Sequence, residues 1–256
     1  DILWIGARST VNPFTVQEIA VALKGTNKPV LVKNPVNPDL ALWIGALERL
    51  LGQDVKNLGV IHRGFSSYQK TKYRNLPNWQ IALDFKHQYP NIPMFVDPSH
   101  ICGRRDLLSD VTQEAFNVGY EGAMIESHCN PDAAWSDAAQ QITPEVLAEM
   151  LGNLQIRNSD ISGFDEEMGK HRALISDIDF QLIELLSNRM KISEKIGALK
   201  KENNIAIFQP DRWKVIAEYA SARAEESGMG KDFIEKVFKA IHEESIEVQN
   251  NIMIDK

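Results

Sequence analysis

Short apolar runs alternate with amphipathic stretches through residues 1–152 of the chain. Each run is long enough for one strand and ends near a polar or turn-forming residue, which is typical of buried parallel strands. Five runs fit this pattern: Ile2–Gly6, Pro29–Lys33, Leu58–His62, Met94–Asp97 and Gly122–Glu126. Helical periodicity occupies the intervals near residues 15–23, 38–51, 78–87 and 111–118, and it returns near 143–152. The alternation predicts an α/β fold built from βα units.

Helical periodicity alone continues over residues 166–256, which predicts a separate all-α domain. One apolar stripe runs through positions 178, 182, 185, 192, 196 and 199, and a second through 234, 237, 238, 241, 248 and 252. Pro210 suits the first turn of a helix between them. The polar stretch 153–165 is predicted to be an interdomain linker. We therefore expect two domains, 1–152 and 166–256.

Composition narrows the classes of partner and compartment. The 256 residues include 43% apolar residues, enough for normal cores, and the net charge is −7 without a basic run. These values argue against nucleic acid and anionic membranes as partners. No apolar stretch approaches the length of a membrane span, and the N-terminus lacks a signal-peptide pattern. Two cysteines do not make a disulfide framework, so a cytoplasmic location is predicted.

Polar residues interrupt both apolar stripes of the helical domain. Arg189 continues the first stripe in register, and Lys200 lies three turns further on the same face. Ser245 and Gln249 interrupt the second stripe four residues apart, and Arg212 falls at a helix start, where anions are favoured. Arg189 alone would fit a register-setting residue in a helix seam equally well. The full set predicts a pocket for a small polyanion, because half-buried cations are costly without an anion.

At these positions the domain resembles the small, dimeric, three-helix chorismate mutases. The matching residues are Arg172, Arg189, Lys200, Arg212, Ser245 and Gln249. The resemblance implies that the arginines bind the two carboxylates of chorismate, and that the lysine and glutamine bind its ether oxygen during rearrangement to prephenate. It implies no cofactor, since positioning and electrostatics suffice for a one-step rearrangement. The chain departs from the family at Gln209, where a carboxylate is frequent, and at Trp213, where a glutamate usually engages the ring hydroxyl.

Arg172 is predicted to serve a second subunit. It precedes Arg189 by 17 residues, or about 25 Å of helix, so it cannot reach the same pocket. The family's antiparallel dimer, in which one arginine crosses to the partner's site, fits this spacing. From the residues alone, a solvated surface arginine is the alternative. We expect a homodimer through the helical domain, and further association of dimers stays open.

Polar side chains in the first domain follow the predicted strands, where the carboxyl ends of a parallel sheet gather chemistry. One subset is cationic and suits phosphate and carboxylate: Arg8, Lys33 and Arg63. Another subset offers ligands for a divalent metal: His100, Glu126 and Asp137. Singly, such residues also serve as helix caps or packing residues. Together they predict a phosphate-plus-metal site.

The motifs around these residues resemble 3-deoxy-D-arabino-heptulosonate 7-phosphate (DAHP) synthase, whose fold is a (β/α)8 TIM barrel. They are Ile5–Ser9, Val32–Asn34, His62–Gly64, Asp97–Arg105, Ile125–His128 and Ser136–Asp137. The resemblance implies condensation of phosphoenolpyruvate with erythrose 4-phosphate. It implies substrate binding by Arg8, Ser9, Lys33, Arg63 and Asp97, and metal binding by His100, Glu126 and Asp137. Mn²⁺, Fe²⁺, Co²⁺ and Zn²⁺ all tolerate such ligands.

A complete barrel has eight strands, whereas the sequence predicts about five βα units. We therefore expect a portion of a longer protein that does not catalyse the condensation by itself. The combined prediction is a bifunctional shikimate-pathway enzyme of aromatic amino acid biosynthesis, with prephenate as an inhibitor acting through the mutase domain. Two alternatives stay open for the helical domain. It could be mainly a chorismate- and prephenate-sensing module with weak mutase activity, or an interaction domain with Arg189 and Lys200 at the dimer interface.

Overall fold

The computed structural model describes residues 1–68, 71–157 and 164–254. The chain divides into two compact units, Asp1–Asp160 and Ile161–Lys256. Six of the 13 residues of the predicted linker at 153–165, namely 158–163, lie outside the described residues. Within the described ranges, no helix combines the length and the apolar character that a bilayer crossing requires.

Five parallel strands form the sheet of the first unit, in the order β1-β2-β3-β4-β5. They are β1 (Leu3–Ile5), β2 (Val30–Lys33), β3 (Leu58–His62), β4 (Met94–Val96) and β5 (Gly122–Ala123). Each strand pairs in parallel with the next strand along the chain. The five predicted strands and their parallel order are confirmed. The fifth is shorter than predicted, because the ladder ends at Ala123.

Helices connect these strands as the periodicity predicted. They are α1 (Ala7–Thr10), α2 (Pro13–Leu23), α3 (Leu40–Leu51), α4 (Trp79–Gln88), α5 (Pro98–Cys102), α6 (Leu108–Asn117) and α7 (Pro144–Asn153). Three 3₁₀ turns span Arg105–Leu107, Pro131–Ala133 and Ala138–Gln140. The side chains of Asn12, Asp39 and Thr143 accept backbone N–H groups at the starts of α2, α3 and α7. The sequence pattern did not predict α1 and α5, which directly follow strands.

The core of the first unit lies between the sheet and its helices. Val30, Val60 and Val96 are fully buried in the central strands. Trp43 on α3 packs its ring 4.8 Å from that of Phe85 on α4 and donates its Nε1 hydrogen to the Val32 carbonyl at 3.2 Å. Burial on both faces is expected for parallel strands covered by helices. This packing holds the carboxyl ends of β2, β3 and β4 side by side.

Three helices make up the second unit: α8 (Asp165–Glu202), α9 (Pro210–Glu226) and α10 (Lys231–Ile254). The carboxyl-terminal half of α8 runs parallel to α10. Two contacts show this direction, since Arg189 contacts Ser245 and Lys200, further along α8, contacts Gln249. Gly197 permits the close approach. A Cβ at that position would lie 3.2 Å from the Gln249 Cα. The predicted all-α domain of three helices is confirmed, with Pro210 in the first turn of α9.

The amino-terminal half of α8 lacks cover from the described residues of this chain. Every residue from 169 to 188 is exposed, and eight of them are large and apolar. They are Leu174, Ile175, Ile178, Phe180, Leu182, Ile183, Leu185 and Leu186. The described part of the unit buries only three apolar side chains, those of Ala220, Ala224 and Ile234. A helical unit of this size therefore has a very small core of its own.

Candidate active sites

A buried ion pair joins the carboxyl ends of β2 and β4. Lys33, the last residue of β2, donates from Nζ to Asp97 Oδ2 at 2.6 Å, and Asp97 is 1% exposed. Asp97 also caps α5, accepting the backbone N–H of His100 at 3.0 Å and its Nδ1 hydrogen at 3.1 Å. Burial raises the pKa of Asp97, but the His100 hydrogen bond and the Lys33 charge outweigh it and lower the pKa. The carboxylate is therefore ionised and held in place.

Arg63 directly follows β3 and is almost fully buried. Its Nη1 donates to Asn75 Oδ1 at 2.9 Å, and its backbone N–H donates to Asn34 Oδ1 at 2.7 Å. Burial lowers the pKa of Arg63, and the charges of Arg74 and Arg8 add to this effect. Several cations therefore converge at this edge of the sheet, an arrangement suited to a phosphate or a carboxylate.

Arg8 and Ser9 lie in α1, directly after β1. Arg8 is exposed and Ser9 is half-buried. Neither Arg8 nor Arg63 forms an ion pair with a described residue, whereas Lys33 is paired. The structure thus brings the predicted cations to one edge of the sheet and leaves two of them available to an anion.

The three predicted metal ligands lie together at the same edge. The donor atoms of His100, Glu126 and Asp137 are all within 4.8 Å of one another. His100 comes from α5, Glu126 from the residues after β5, and Asp137 from the start of the 3₁₀ turn Ala138–Gln140. One imidazole and two carboxylates suit a divalent transition metal. The hydrogen bond between the His100 ring and Asp97 holds the imidazole in one orientation.

Sequence reasoning missed two residues that hold these ligands. Arg74 donates from Nη1 to Asp137 Oδ1 at 2.7 Å and to Gln140 Oε1 at 2.8 Å, and Gln140 donates from Nε2 to Glu126 Oε2 at 2.9 Å. The hydrogen bond from Arg74 lowers the pKa of Asp137. Gly103 makes room for this arginine, because a Cβ there would lie 2.6 Å from the Arg74 Cβ. The glycine was the only signal in the sequence that a side chain passes so close.

Both cysteines are free. Cys102 is buried, and burial raises the pKa of its thiol to about 12, so it is a neutral packing residue. Cys129 is exposed. Neither belongs to the metal-ligand cluster found among the described residues.

The second unit contains a cavity of about 370 Å³ between its helices. All five residues predicted for a polyanion pocket line it: Arg189, Lys200, Arg212, Ser245 and Gln249. Isoleucines and Ser193 make up most of the remaining lining. The lining, as far as the structure describes it, holds three cations and no carboxylate, so its net charge is positive and favours an anionic ligand.

Arg189 lies half-buried between α8 and α10. Its Nη1 donates to Ser245 Oγ and, at 3.4 Å, to the Ile241 carbonyl. Burial lowers the pKa of Arg189, and the nearby charge of Arg212 lowers it further. The two acceptors, Ser245 Oγ and the Ile241 carbonyl, are neutral. The Arg189 guanidinium therefore has no counter-charge among the described residues.

Lys200 lies at the other end of the cavity, in the last turn of α8. Its Nζ donates to the Ile207 carbonyl at 2.6 Å and to Gln249 Oε1 at 3.0 Å. Burial lowers the pKa of Lys200. The ammonium and the Gln249 amide therefore form a pair of groups that are aligned before any ligand arrives.

The two departures from the mutase pattern have different positions. Gln209 lines the cavity at the start of α9. Trp213 is not among the lining residues, and its ring stacks on that of His242, with centroids 4.5 Å apart and 20° between the planes. His242 does line the cavity, and sequence reasoning did not single it out. Its signal was a polar residue three positions before Ser245 on the same helix face.

Arg172 is remote from this cavity. It lies in the exposed amino-terminal half of α8 and is not among the lining residues. The 17 intervening residues separate it from Arg189 by about 25 Å along the helix axis. Within one copy of the chain, the structure therefore does not bring Arg172 to the other five residues.

Comparison with known proteins agrees with this division into two units. Residues 1–161 match the DAHP synthetase I family, and residues 171–250 match the chorismate mutase type II family. Phospho-2-dehydro-3-deoxyheptonate aldolase of Thermotoga maritima is 29% identical over 155 residues, covering 60% of this chain and 44% of that protein. The T-protein of Haemophilus influenzae is 28% identical over 87 residues, covering 34% of this chain and 23% of that protein.

A solved structure supports the fold of the first unit. A truncated form of 3-deoxy-D-arabino-heptulosonate 7-phosphate synthase from Thermotoga maritima superposes with a TM-score of 0.54 at 26% identity. The match covers 66% of this chain and 60% of that one. The chain therefore spans less than two thirds of the length of these relatives. It belongs to the DAHP synthetase I family, and its carboxyl-terminal unit is a chorismate mutase type II domain.

Proposed function

We propose that the protein is a bifunctional enzyme of aromatic amino acid biosynthesis, and that its helical unit converts chorismate to prephenate. The observation that carries this proposal is the cavity lined by three cations and no described carboxylate. Chorismate is a small dicarboxylate, and its two negative charges match this lining. A domain that served only protein–protein interaction would have no need of a cavity lined by three cations.

The residues of the cavity have distinct tasks in this reaction. Arg189 and Arg212 bind carboxylates, which fixes the substrate in a compact conformation. Lys200 and Gln249 lie together and donate to the ether oxygen, where negative charge develops as the C–O bond breaks. No proton has to be transferred in the rearrangement, so the site works without a general base. The mutase requires no cofactor.

Chorismate turnover tests the mutase assignment. We expect Lys200→Ala to lower kcat by a factor on the order of 10²–10³, the loss typical of removing one donor to a developing oxyanion. Lys195→Ala is the matched control, since Lys195 is an exposed residue of the same helix outside the cavity lining. Tight chorismate binding without turnover in the unaltered protein would instead make the unit a sensing module.

We further propose that two copies associate through the amino-terminal half of α8. The eight exposed apolar side chains and the very small core of the unit support this association, because a second antiparallel helix would cover them. Arg172 would then reach the partner's cavity and complete the set of carboxylate-binding arginines.

A mixing experiment tests the contribution of Arg172 across the dimer. Arg172→Ala and Lys200→Ala should each be inactive as homodimers. Mixed dimers would contain one intact site, so a random mixture should recover about a quarter of the activity of the unaltered protein. No recovery, with subunit exchange demonstrated by mass spectrometry, would contradict the shared site.

We propose that the first unit, as part of a complete barrel, serves the aldol-like condensation of phosphoenolpyruvate with erythrose 4-phosphate. Arg8, Lys33 and Arg63 would bind the phosphate and carboxylate of phosphoenolpyruvate. Ser9 would assist at a phosphate, and Asp97 orients Lys33.

The donor set of His100, Glu126 and Asp137 fits a divalent cation, since its atoms lie within 4.8 Å of one another. When bound, such a metal supplies Lewis acidity toward an aldehyde oxygen. Electron paramagnetic resonance of added Mn²⁺ tests the assignment. Binding should weaken at least tenfold in Glu126→Ala. It should persist in Asp132→Ala, an exposed carboxylate outside the cluster.

The fusion itself supports regulation of the synthase by prephenate, and the two free cysteines support a reducing, cytoplasmic location. Regulation requires a coupling free energy between the two sites. In a protein with the complete barrel, phosphoenolpyruvate consumption should slow when prephenate saturates the mutase cavity. An unchanged rate at saturation would contradict the coupling.

A further inference from the structure

His242 contains a buried nitrogen without a partner. Its Nε2 is the only buried side-chain nitrogen or oxygen among the described residues that lacks a hydrogen bond. The residue lies on α10 and lines the cavity together with Ser245 and Gln249. A buried polar atom without a partner is costly, and such atoms are rare in folded proteins. Because the residue that carries this unpaired nitrogen lines the cavity, a bound ligand is the candidate for the missing partner.

The surroundings of His242 hold the ring and keep it neutral. Trp213 on α9 stacks on one face at 4.5 Å, and Phe208 approaches with its centroid at 6.1 Å. Burial lowers the pKa of His242, and the charges of Arg189 and Lys200 lower it further.

Glu243 on α10 acts in the opposite direction but does not reverse the shift. A neutral imidazole has one donor and one acceptor nitrogen. It is suited to a hydroxyl, which can both donate and accept, rather than to a carboxylate.

We propose that His242 is a substrate-positioning residue whose Nε2 hydrogen-bonds an uncharged hydroxyl of the ligand. The inference rests on the proposed mutase function, in which the ligand is a cyclic dicarboxylate that also bears a ring hydroxyl. The three cations of the lining are matched to the two carboxylates and the ether oxygen. Trp213 lies outside the cavity lining and stacks on the imidazole, which fixes the plane of that ring. The stacked pair thus supplies the polar contact that a glutamate at position 213 would otherwise make.

A double comparison tests this contact. The first change is His242→Leu, which keeps the approximate volume and removes both nitrogens. The second is a chorismate analogue that lacks the ring hydroxyl, assayed as a competitive inhibitor. We expect each change alone to weaken binding about tenfold, and both together to weaken it little further, because they remove the same hydrogen bond. Losses that multiply to about a hundredfold would overturn the proposal.

Two controls separate a positioning role from a structural one. His242→Gln keeps a side-chain hydrogen-bonding group, so it should recover most of the lost affinity, whereas kcat should change less than KM in both variants. His171→Gln replaces an exposed histidine of α8 outside the cavity lining and should leave KM unchanged. Wild-type KM in His242→Leu would overturn the proposal while the mutase assignment stands.

Nuclear magnetic resonance of ¹⁵N-labelled imidazole rings provides a readout that does not depend on the stability of a variant. Adding the hydroxyl-bearing ligand to the unaltered protein should shift the Nε2 resonance of His242, and the deoxy analogue should not. Equal shifts with both ligands would overturn the contact. If the unaltered protein neither binds nor converts chorismate, the mutase assignment fails and this inference falls with it.

Discussion

Acidification is expected to destabilise the first unit through His62, the last residue of β3. The ring is fully buried, its Nε2 donates to the Pro77 carbonyl at 2.6 Å, and its Nδ1 accepts the Tyr120 hydroxyl at 2.9 Å. Both nitrogens are thus used in the neutral form. Burial lowers the pKa of His62 from 6.5 to about 4. Between these two pKa values, His62 binds a proton in the unfolded chain but not in the folded protein.

The magnitude follows from this difference in pKa. A group whose folded pKa is lowered contributes stability that is fully present above its unfolded pKa and is lost as the pH falls toward its folded pKa. With pKa values of 6.5 and about 4, the loss between about pH 7.5 and about pH 5 is about 2 kcal/mol. For a protein of this length, that is a decrease in Tm of about 4–8 °C.

Urea unfolding followed by tryptophan fluorescence measures this loss, since four of the five tryptophans lie in the first unit. His62→Gln should be less stable at neutral pH, but its free energy of unfolding should depend less on pH by about 2 kcal/mol. The control is His87→Gln, because His87 is exposed and its replacement should leave the pH dependence unchanged. Equal pH dependence in His62→Gln and the unaltered protein would refute the reasoning. So would a His62 ring that titrates near pH 6.5 by nuclear magnetic resonance.

Three further outcomes are expected. Gly197→Ala should lower mutase activity and the thermal stability of the helical unit, because the added Cβ would lie 3.2 Å from the Gln249 Cα; circular dichroism and chorismate turnover would detect both effects. Lys33→Met should cost about 3–5 kcal/mol in urea unfolding, because it leaves a buried carboxylate without its cation, and a loss below 1 kcal/mol would contradict the buried pair. Cys129 should react with a thiol reagent in the folded protein, whereas buried Cys102 should react only after unfolding. Mass spectrometry of the labelled protein can verify both outcomes.

The prediction and the structure differ at helices that are too short to show a hydrophobic periodicity. The five strands were predictable, since a strand buried on both faces is a continuous apolar run. The helices α1 and α5 have four and five residues, so they show no complete amphipathic repeat. Their side chains nevertheless matter, because α1 contains Arg8 and α5 contains His100.

Residues that act by holding other residues in place could not be identified from the sequence either. Arg74 comes from an irregular segment before α4, and nothing in its neighbours indicates that it reaches Asp137. The contact depends on how two loops fold over one sheet edge. His242 was overlooked for a related reason. A histidine on a helix face is usually a packing residue, and two structural features distinguish this one: it lines the cavity, and its Nε2 is buried without a partner.

The sequence by itself determined the βα alternation, the three helices, and most of the charged residues that gather at the sheet edge and in the cavity. Periodicity and strand direction are local properties, and they decide which side chains share a face or an end. Only the tertiary structure decided how those side chains are paired. It placed Lys33 against Asp97, Lys200 against Gln249, and His242 against Trp213. Such pairings depend on the packing of elements that are distant in the chain, because a shift of a few ångströms makes or breaks a hydrogen bond.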